Sequence, residues 1–220
     1  MNAVKGSSEV RSVQSPTSDS FCIATVAKEL QFCRLDGGDV DLKHFAGVYE
    51  ELSKFIGMLG RIFEFVQKDV NEKIRNINSF YEKNPKDYCS IAKMIVTEKG
   101  GKNMGKSCCA SVLLLNRALE FVMDFLDSAT EAADSDSMPQ ICRTSYDKTL
   151  AKHHPWIVRK AVGIAVHTLP SKERLTTCIK GRLAEENELK EFVRRVVADG
   201  SDVYSRIDAM YTKNELHKIV

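Results

Sequence analysis

The chain has 220 residues, 43% of them hydrophobic, and its 32 basic and 30 acidic side chains give a formal net charge of +2. This length supports one well-buried domain, and the small net charge excludes a global electrostatic attraction to nucleic acid. The seven cysteines are odd in number and have no Cys-x-x-Cys spacing, which argues against a disulfide framework and a structural zinc site. We therefore expect a monomer that binds no metal and no other cofactor.

No apolar run approaches the ~20 residues that would cross a bilayer, and the first residues lack the apolar core of a signal peptide. These features predict a soluble, cytoplasmic protein. Residues 1–20 are rich in Ser, contain Pro16 and show no apolar periodicity, which predicts a flexible N-terminal tail. The folded domain is expected over residues 21–220.

From Phe21 onwards apolar residues recur at helical spacing almost without interruption, and strand-like alternation is scarce. Gly57 and Gly60 are candidate bends in the long second segment. The predicted helices are Phe21–Leu35, Leu42–Lys83, Asp87–Lys99, Cys108–Ala129, Pro139–Lys152, His154–Leu169, Ser171–Lys180, Ala184–Ala198 and Asp202–Lys213. The pattern predicts an all-α domain of about eight helices.

The glycine-rich stretch Gly100–Ser107, GGKNMGKS, matches the nucleotide-binding pattern G-x-x-x-x-G-K-S and precedes a predicted helix. Residues Ala92–Glu98 resemble the strand that this motif requires. A nucleotide-binding fold also needs companion parallel strands, and the surrounding chain predicts none. Two interpretations therefore remain, namely a P-loop nucleotide-binding protein and a basic, flexible loop between helices.

A polar group is predicted near the end of the long second helix. Asp69, Lys73 and Asn76 follow one another at one-turn spacing, so that their side chains project from one face. One interpretation is a solvated ion pair between Asp69 and Lys73, worth a few tenths of a kcal/mol. The other is a set of polar contacts for a ligand.

An interfacial patch is predicted around the only tryptophan. Trp156 follows His153 and His154 at the start of an apolar helix, and its amphipathic ring favours a boundary between water and apolar surroundings. Arg159 and Lys160 add positive charge, and Lys172 is a further candidate; together they predict weak, reversible adsorption to a membrane. The alternative is a half-buried tryptophan beneath a neighbouring helix.

Three segments resemble the glycolipid transfer protein superfamily, most closely its ceramide-1-phosphate transfer branch: Ile62–Lys73 (IFEFVQKDVNEK), Leu113–Leu119 (LLLNRAL) and Tyr146–Pro170 with its His-Pro-Trp sequence. The resemblance implies a two-layer helical sandwich that encloses an apolar lipid pocket. It also implies a carrier of one sphingolipid between membranes, not an enzyme, with no nucleic acid partner.

The resemblance further implies residue roles. Asp69 would accept hydrogen bonds from the sphingosine amide and hydroxyl, His154 would donate to the ceramide carbonyl, and Lys73 would contact a phosphate. Ala110 and Leu114, however, stand where the ceramide-1-phosphate branch has two arginines and where the glycolipid branch has a tryptophan for stacking on a sugar. The head group is therefore left open between ceramide-1-phosphate and a simple glycosylceramide, and a sphingolipid sensor or adaptor without transfer is an alternative.

Overall fold

The structure is a computed structural model that describes residues 20–181, 183 and 186–220. All regular secondary structure in these residues is helical, and the prediction of an all-α, single-domain fold is confirmed. The helices are α1 Ile23–Cys33, α2 Leu42–Met58, α3 Glu64–Lys83, α4 Ile91–Glu98, α5 Cys108–Glu131, α6 Met138–Lys148, α7 Trp156–Ala165, α8 Lys172–Lys180 and α9 Glu186–Lys213. Apart from Ser20, the predicted tail lies outside the described residues.

Five helices enclose the core. Their contacts run from α1 to α2, α3, α5 and α9 and then back to α1, while α6 packs against α5. The most deeply buried large side chains include Phe45, Tyr49, Leu115, Leu119 and Tyr211, from α2, α5 and α9. Within the described part of the chain, no helix is both long and apolar enough to span a bilayer.

The prediction of one helix from Leu42 to Lys83 is wrong. Helix α2 ends at Met58, a 3₁₀ turn follows at Arg61–Phe63, and α3 begins at Glu64. The break lies at Gly60, whose φ of 102° is accessible to glycine but strained for other residues. Because the chain reverses there, α3 packs back against α2, as two hydrogen bonds illustrate: Gln67 donates to the Ser53 carbonyl, and Ser53 donates to Asn71.

The separation of the last helix into two segments is also wrong. Gly200, which lies between the two predicted segments, is inside the continuous helix α9. A Cβ atom at this position would lie 2.7 Å from Sδ of Met123 and 3.7 Å from a methyl group of Leu30. The glycine therefore allows α9 to approach α5 and α1 closely, and tertiary packing outweighs its low helix propensity.

The glycine-rich loop does not form a nucleotide-binding P-loop. The segment that resembled a strand is helix α4, and the backbone N–H groups at the start of α5 already have acceptors. The Glu98 carboxylate accepts from the N–H groups of Cys108 and Cys109 at 2.9 and 2.7 Å, and Ser107 Oγ accepts from Ala110 at 3.1 Å. A phosphate would have to displace this internal carboxylate from the helix N-terminus.

We expect Glu98→Ala to lower the free energy of unfolding by about 1–2 kcal/mol, because two N–H groups of α5 lose their acceptor. For a chain of this size that is a fall in Tm of roughly 2–8 °C. Thermal unfolding followed by circular dichroism would measure it. The exposed Glu82 on α3 provides the control, since Glu82→Ala should leave the midpoint nearly unchanged; equal midpoints for both variants would contradict the capping role.

Candidate functional site

Helix α3 carries apolar and polar residues on adjoining parts of one surface. Val66 and Val70 line an internal apolar cavity, whereas Asp69 and Lys73 form an ion pair of 2.6 Å between Oδ1 and Nζ. The Asp69 side chain is 64% exposed and that of Lys73 only 14% exposed. The carboxylate therefore remains open to a further hydrogen-bond donor while the ion pair holds it in place.

Asn76 connects α3 to the start of α5. Its amide donates to the Ser107 carbonyl at 3.2 Å and to Ser111 Oγ at 2.9 Å. Val70, which precedes Asn76 on α3, lines the same cavity as Ala118, which follows Ser111 on α5. Residue numbers therefore fall along α3 as they rise along α5, so the two helices are antiparallel. Asn76 therefore fixes the register between these two helices.

The same register puts Ala110 and Leu114 of α5 on the part of that helix that packs near the polar end of α3. Because Lys73 lies between Asn76 and Val70 along α3, we infer from this register that it lies near the level of Leu114. Ala110 is buried and Leu114 is half-buried. Neither side chain can donate a hydrogen bond.

His154 lies within electrostatic range of the ion pair. It has an extended backbone, with φ −106° and ψ 137°, as the following Pro155 favours, and its Nδ1 lies 2.9 Å from the Tyr146 hydroxyl. Burial lowers the pKa of His154; the charge of Asp69 raises it, and the charges of Arg117 and Lys73 lower it. Both ends of the ion pair and Arg117 therefore act on this imidazole.

His153, the neighbouring residue, faces a positively charged environment. Burial lowers its pKa to about 4, and the charges of Arg117 and Lys152 contribute in the same direction. Both adjacent histidines are consequently favoured in the neutral form at pH 7. His154 can then accept at one ring nitrogen and donate at the other.

The cavity is enclosed by α2, α3, α5, α8 and the segments at Phe21 and Leu150, and has a volume of about 130 Å³. A cavity of about 150 Å³ accommodates one benzene molecule, so this one holds on the order of six carbon atoms. Helix α5 contributes apolar side chains both to this cavity and to the core. Ala118, Phe121 and Val122 face the cavity, whereas Val112 and Leu119 are fully buried in the core.

Helix α7 presents an exposed apolar patch. Trp156, Ile157 and Ile164 are 63%, 67% and 66% exposed, so the alternative of a half-buried tryptophan is wrong. Lys160 Nζ lies 5.7 Å from the centre of the Trp156 ring, and Arg159 is also exposed.

Lys172 differs from the other predicted patch residues in its contacts. Its ammonium donates to the Ala132 carbonyl at 2.5 Å and to Asp134 at 3.0 Å. These contacts tie α8 to the segment after α5, and the charge of Lys172 is already paired.

Tyr146 has a contact to which the sequence analysis assigned no role. Its hydroxyl reaches His154 because α6 ends at Lys148 and a 3₁₀ turn at Ala151–His153 returns the chain. The Tyr–x₇–His spacing does not by itself predict such a contact. The contact becomes evident only in the structure, where the Tyr146 hydroxyl lies beside the imidazole of His154.

The chain is similar to known lipid carriers over most of its length. A model of the glycolipid transfer protein family matches residues 40–181. The ceramide-1-phosphate transfer protein of Danio rerio is 27% identical over 210 residues, covering 90% of this chain and 98% of that protein. The crystal structure of the apo form of the mouse ceramide-1-phosphate transfer protein has a TM-score of 0.83 at 26% identity, covering 90% and 99% of the two chains. The human protein in complex with 2:0 ceramide-1-phosphate gives 0.81 at 25% identity, with the same coverage.

The charges around His154 can be tested without a lipid. We expect Lys73→Gln to raise the pKa of His154, because a nearby positive charge is removed, and Asp69→Asn to lower it further. An NMR titration of the imidazole Cε1–H resonance from pH 3 to 8 would measure both. Glu82→Gln serves as a charge control on the same helix. If neither Lys73→Gln nor Asp69→Asn changes the titration midpoint of His154, the described site is contradicted.

Proposed function

Because the chain belongs to the glycolipid transfer protein family, we propose that it binds one sphingolipid and carries it between membranes without chemical change. The observation that carries this proposal is the amphiphilic surface of α3. Val66 and Val70 line an apolar cavity, and Asp69 and Lys73 form a polar pair on the same helix. A sphingolipid has the same division into apolar chains and a polar amide with its head group.

The amide of the lipid would be held from both sides. Its N–H would donate to the Asp69 carboxylate, which has acceptor sites beyond the one that Lys73 uses. Its carbonyl would accept from Nε2 of His154, in the tautomer in which the Tyr146 hydroxyl donates to Nδ1. Leaving either amide group unpaired in a buried site costs about 1–3 kcal/mol, so both residues favour an amide lipid over one that lacks the group.

The lipid chains would enter the apolar cavity, and their burial would supply most of the affinity, at ~0.8 kcal/mol per methylene. A volume of 130 Å³ is too small for two long chains. Uptake therefore requires the surrounding helices to move apart.

Contact with the membrane would involve α7. Trp156, Ile157 and Ile164 would enter the interface, with Arg159 and Lys160 near the lipid phosphates. One aromatic ring and few cations give adsorption that is weak enough to reverse. Reversible adsorption is what a carrier needs, because it must leave one membrane to reach another. A sensor that binds its lipid without releasing it would show no activity in the transfer assay below.

We expect Asp69→Val to reduce sphingolipid transfer between vesicles by at least tenfold, because the loss of a charged acceptor of about 1.5–3 kcal/mol leaves the lipid amide unpaired. Fluorescent ceramide-1-phosphate and galactosylceramide in phosphatidylcholine donor vesicles provide the assay. Circular dichroism would show that the helical content is retained, and Glu82→Val is the matched control. Full transfer by Asp69→Val would refute the amide contact.

Trp156 is the only tryptophan, so its fluorescence reports adsorption directly. We expect its emission to shift to shorter wavelength on addition of vesicles. Arg159→Gln and Lys160→Gln should each weaken adsorption to vesicles containing phosphatidylserine about fivefold, from about 1 kcal/mol per cation. An unchanged emission spectrum with vesicles at high concentration would show that another surface makes the contact.

A further inference from the structure

A second cavity lies beside the apolar cavity of the candidate site. It has a volume of about 130 Å³ and is enclosed by the end of α5, the start of α6, α8 and the start of α9. It therefore has room for about six carbon atoms, as the apolar cavity does. Its polar lining residues are partly or fully exposed. Among the described residues, the buried members of its lining are all apolar: Ala129, Met138, Leu175, Ile179 and Leu189.

The two cavities follow one another along α5, away from the polar end of the site. Asn76 bonds Ser111 near the start of α5, and residues between Ala118 and Leu126 then line the apolar cavity. The second cavity begins at Ala129, three residues or about 4.5 Å further along the helix. The chains of a lipid whose amide is held by Asp69 would therefore run through the apolar cavity towards the second one.

Ile179 of α8 separates the two cavities. Among the described residues it alone lines both, and it is only 3% exposed. Its side chain is β-branched, so it has few accessible rotamers and does not swing aside easily. Ile179 therefore forms a partition between the apolar cavity and the second cavity.

Helix α8 holds this partition in place from both ends. At its first residue, the Lys172 ammonium donates to the Ala132 carbonyl. Directly after its last residue, Gly181 approaches the backbone of Phe21 so closely that a Cβ atom would lie 2.9 Å from the Phe21 carbonyl oxygen. Since Phe21 itself lines the apolar cavity, the end of α8 is fixed against the wall that Ile179 completes.

We propose that Ile179 limits the length of the acyl chain that the protein accepts, because the chain ends at this side chain and does not enter the second cavity. This inference rests on the proposed function. It makes the protein selective for sphingolipids with shorter acyl chains. A longer chain would have to displace Ile179 or fold back within the apolar cavity, and both are unfavourable in a closely packed interior.

The test measures which acyl chain the full-length protein binds. The protein is incubated with phosphatidylcholine vesicles that contain equal amounts of 12:0 and 24:0 ceramide-1-phosphate, and in parallel with the same pair of galactosylceramides. It is then separated from the vesicles, and the bound lipid is identified by mass spectrometry. The ratio of bound 24:0 to 12:0 lipid is divided by the wild-type ratio, which cancels the difference in how readily the two lipids leave a vesicle.

In Ile179→Ala this ratio should rise at least tenfold, because the two cavities join and the burial of two further methylenes is enough for a factor of ten. Adding Ala129→Leu should reverse the rise, since the larger side chain fills the second cavity from the other side. If Ile179→Ala loses its helical circular dichroism signal, Ile179→Val takes its place. It removes one methyl group and should raise the ratio at least twofold.

Leu175→Ala is the matched control, because Leu175 lies one turn earlier on α8 and lines the second cavity only. It enlarges that cavity but leaves the partition intact, so its ratio should equal that of the wild type. An unchanged ratio in the Ile179 variants would overturn the inference, and so would an equal rise in Leu175→Ala. Wild-type protein that takes up none of the four lipids would instead refute the proposed function.

Discussion

The hydrogen bonds from Asn76 to Ser107 and Ser111 determine how α3 lies against α5, and the site depends on that register. Helix α5 is itself held firmly. The Tyr211 hydroxyl donates to the Cys109 carbonyl, the Tyr49 hydroxyl donates to the Leu115 carbonyl, and Glu98 accepts from the first turn. Because both tyrosines are buried and hydrogen-bonded, α5 forms a rigid reference on which the polar and apolar parts of α3 are aligned.

The same packing explains why the cavity is small. Side chains of α2, α3 and α5 meet around it and leave about 130 Å³, because protein interiors pack closely and leave little empty apolar volume. Elements that bury few side chains open most readily. Helix α7 buries one of its ten residues, Ala165, and Leu150 at the cavity wall lies just before it in the chain. Helix α7, which carries Trp156, is thus among the least anchored of the described helices.

Sequence patterns predicted the helical class well because apolar periodicity reports which face of each helix is buried. They marked Gly60 as a candidate bend but did not end a helix there, and they divided α9 around Gly200, where the helix is continuous. At Gly60 a positive φ ends a helix, whereas at Gly200 the missing side chain admits Met123 and Leu30. Both are glycines within helical patterns, and only the tertiary neighbours distinguish them.

For the candidate site, helical spacing predicted that Asp69, Lys73 and Asn76 share a face, and the structure shows this. It did not predict that the amide of Asn76 faces α5, that Lys172 is paired with Asp134, or that Tyr146 contacts His154. These contacts join residues from different helices, and their partners are set by how the helices pack. The nucleotide-binding interpretation of Gly100–Ser107 is wrong for the same reason. Glu98, which is not part of the motif, accepts hydrogen bonds from the N-terminus of α5.

In the proposed complex, affinity and selectivity have separate physical sources. Methylene burial at ~0.8 kcal/mol each is large in sum but nearly the same for every lipid with equal chains. A charge-assisted contact contributes only about 1.5–3 kcal/mol, yet that amount is enough for a tenfold or larger preference between head groups. Selectivity can therefore change through one or two side chains on the polar end of α5 while the cavity wall stays the same.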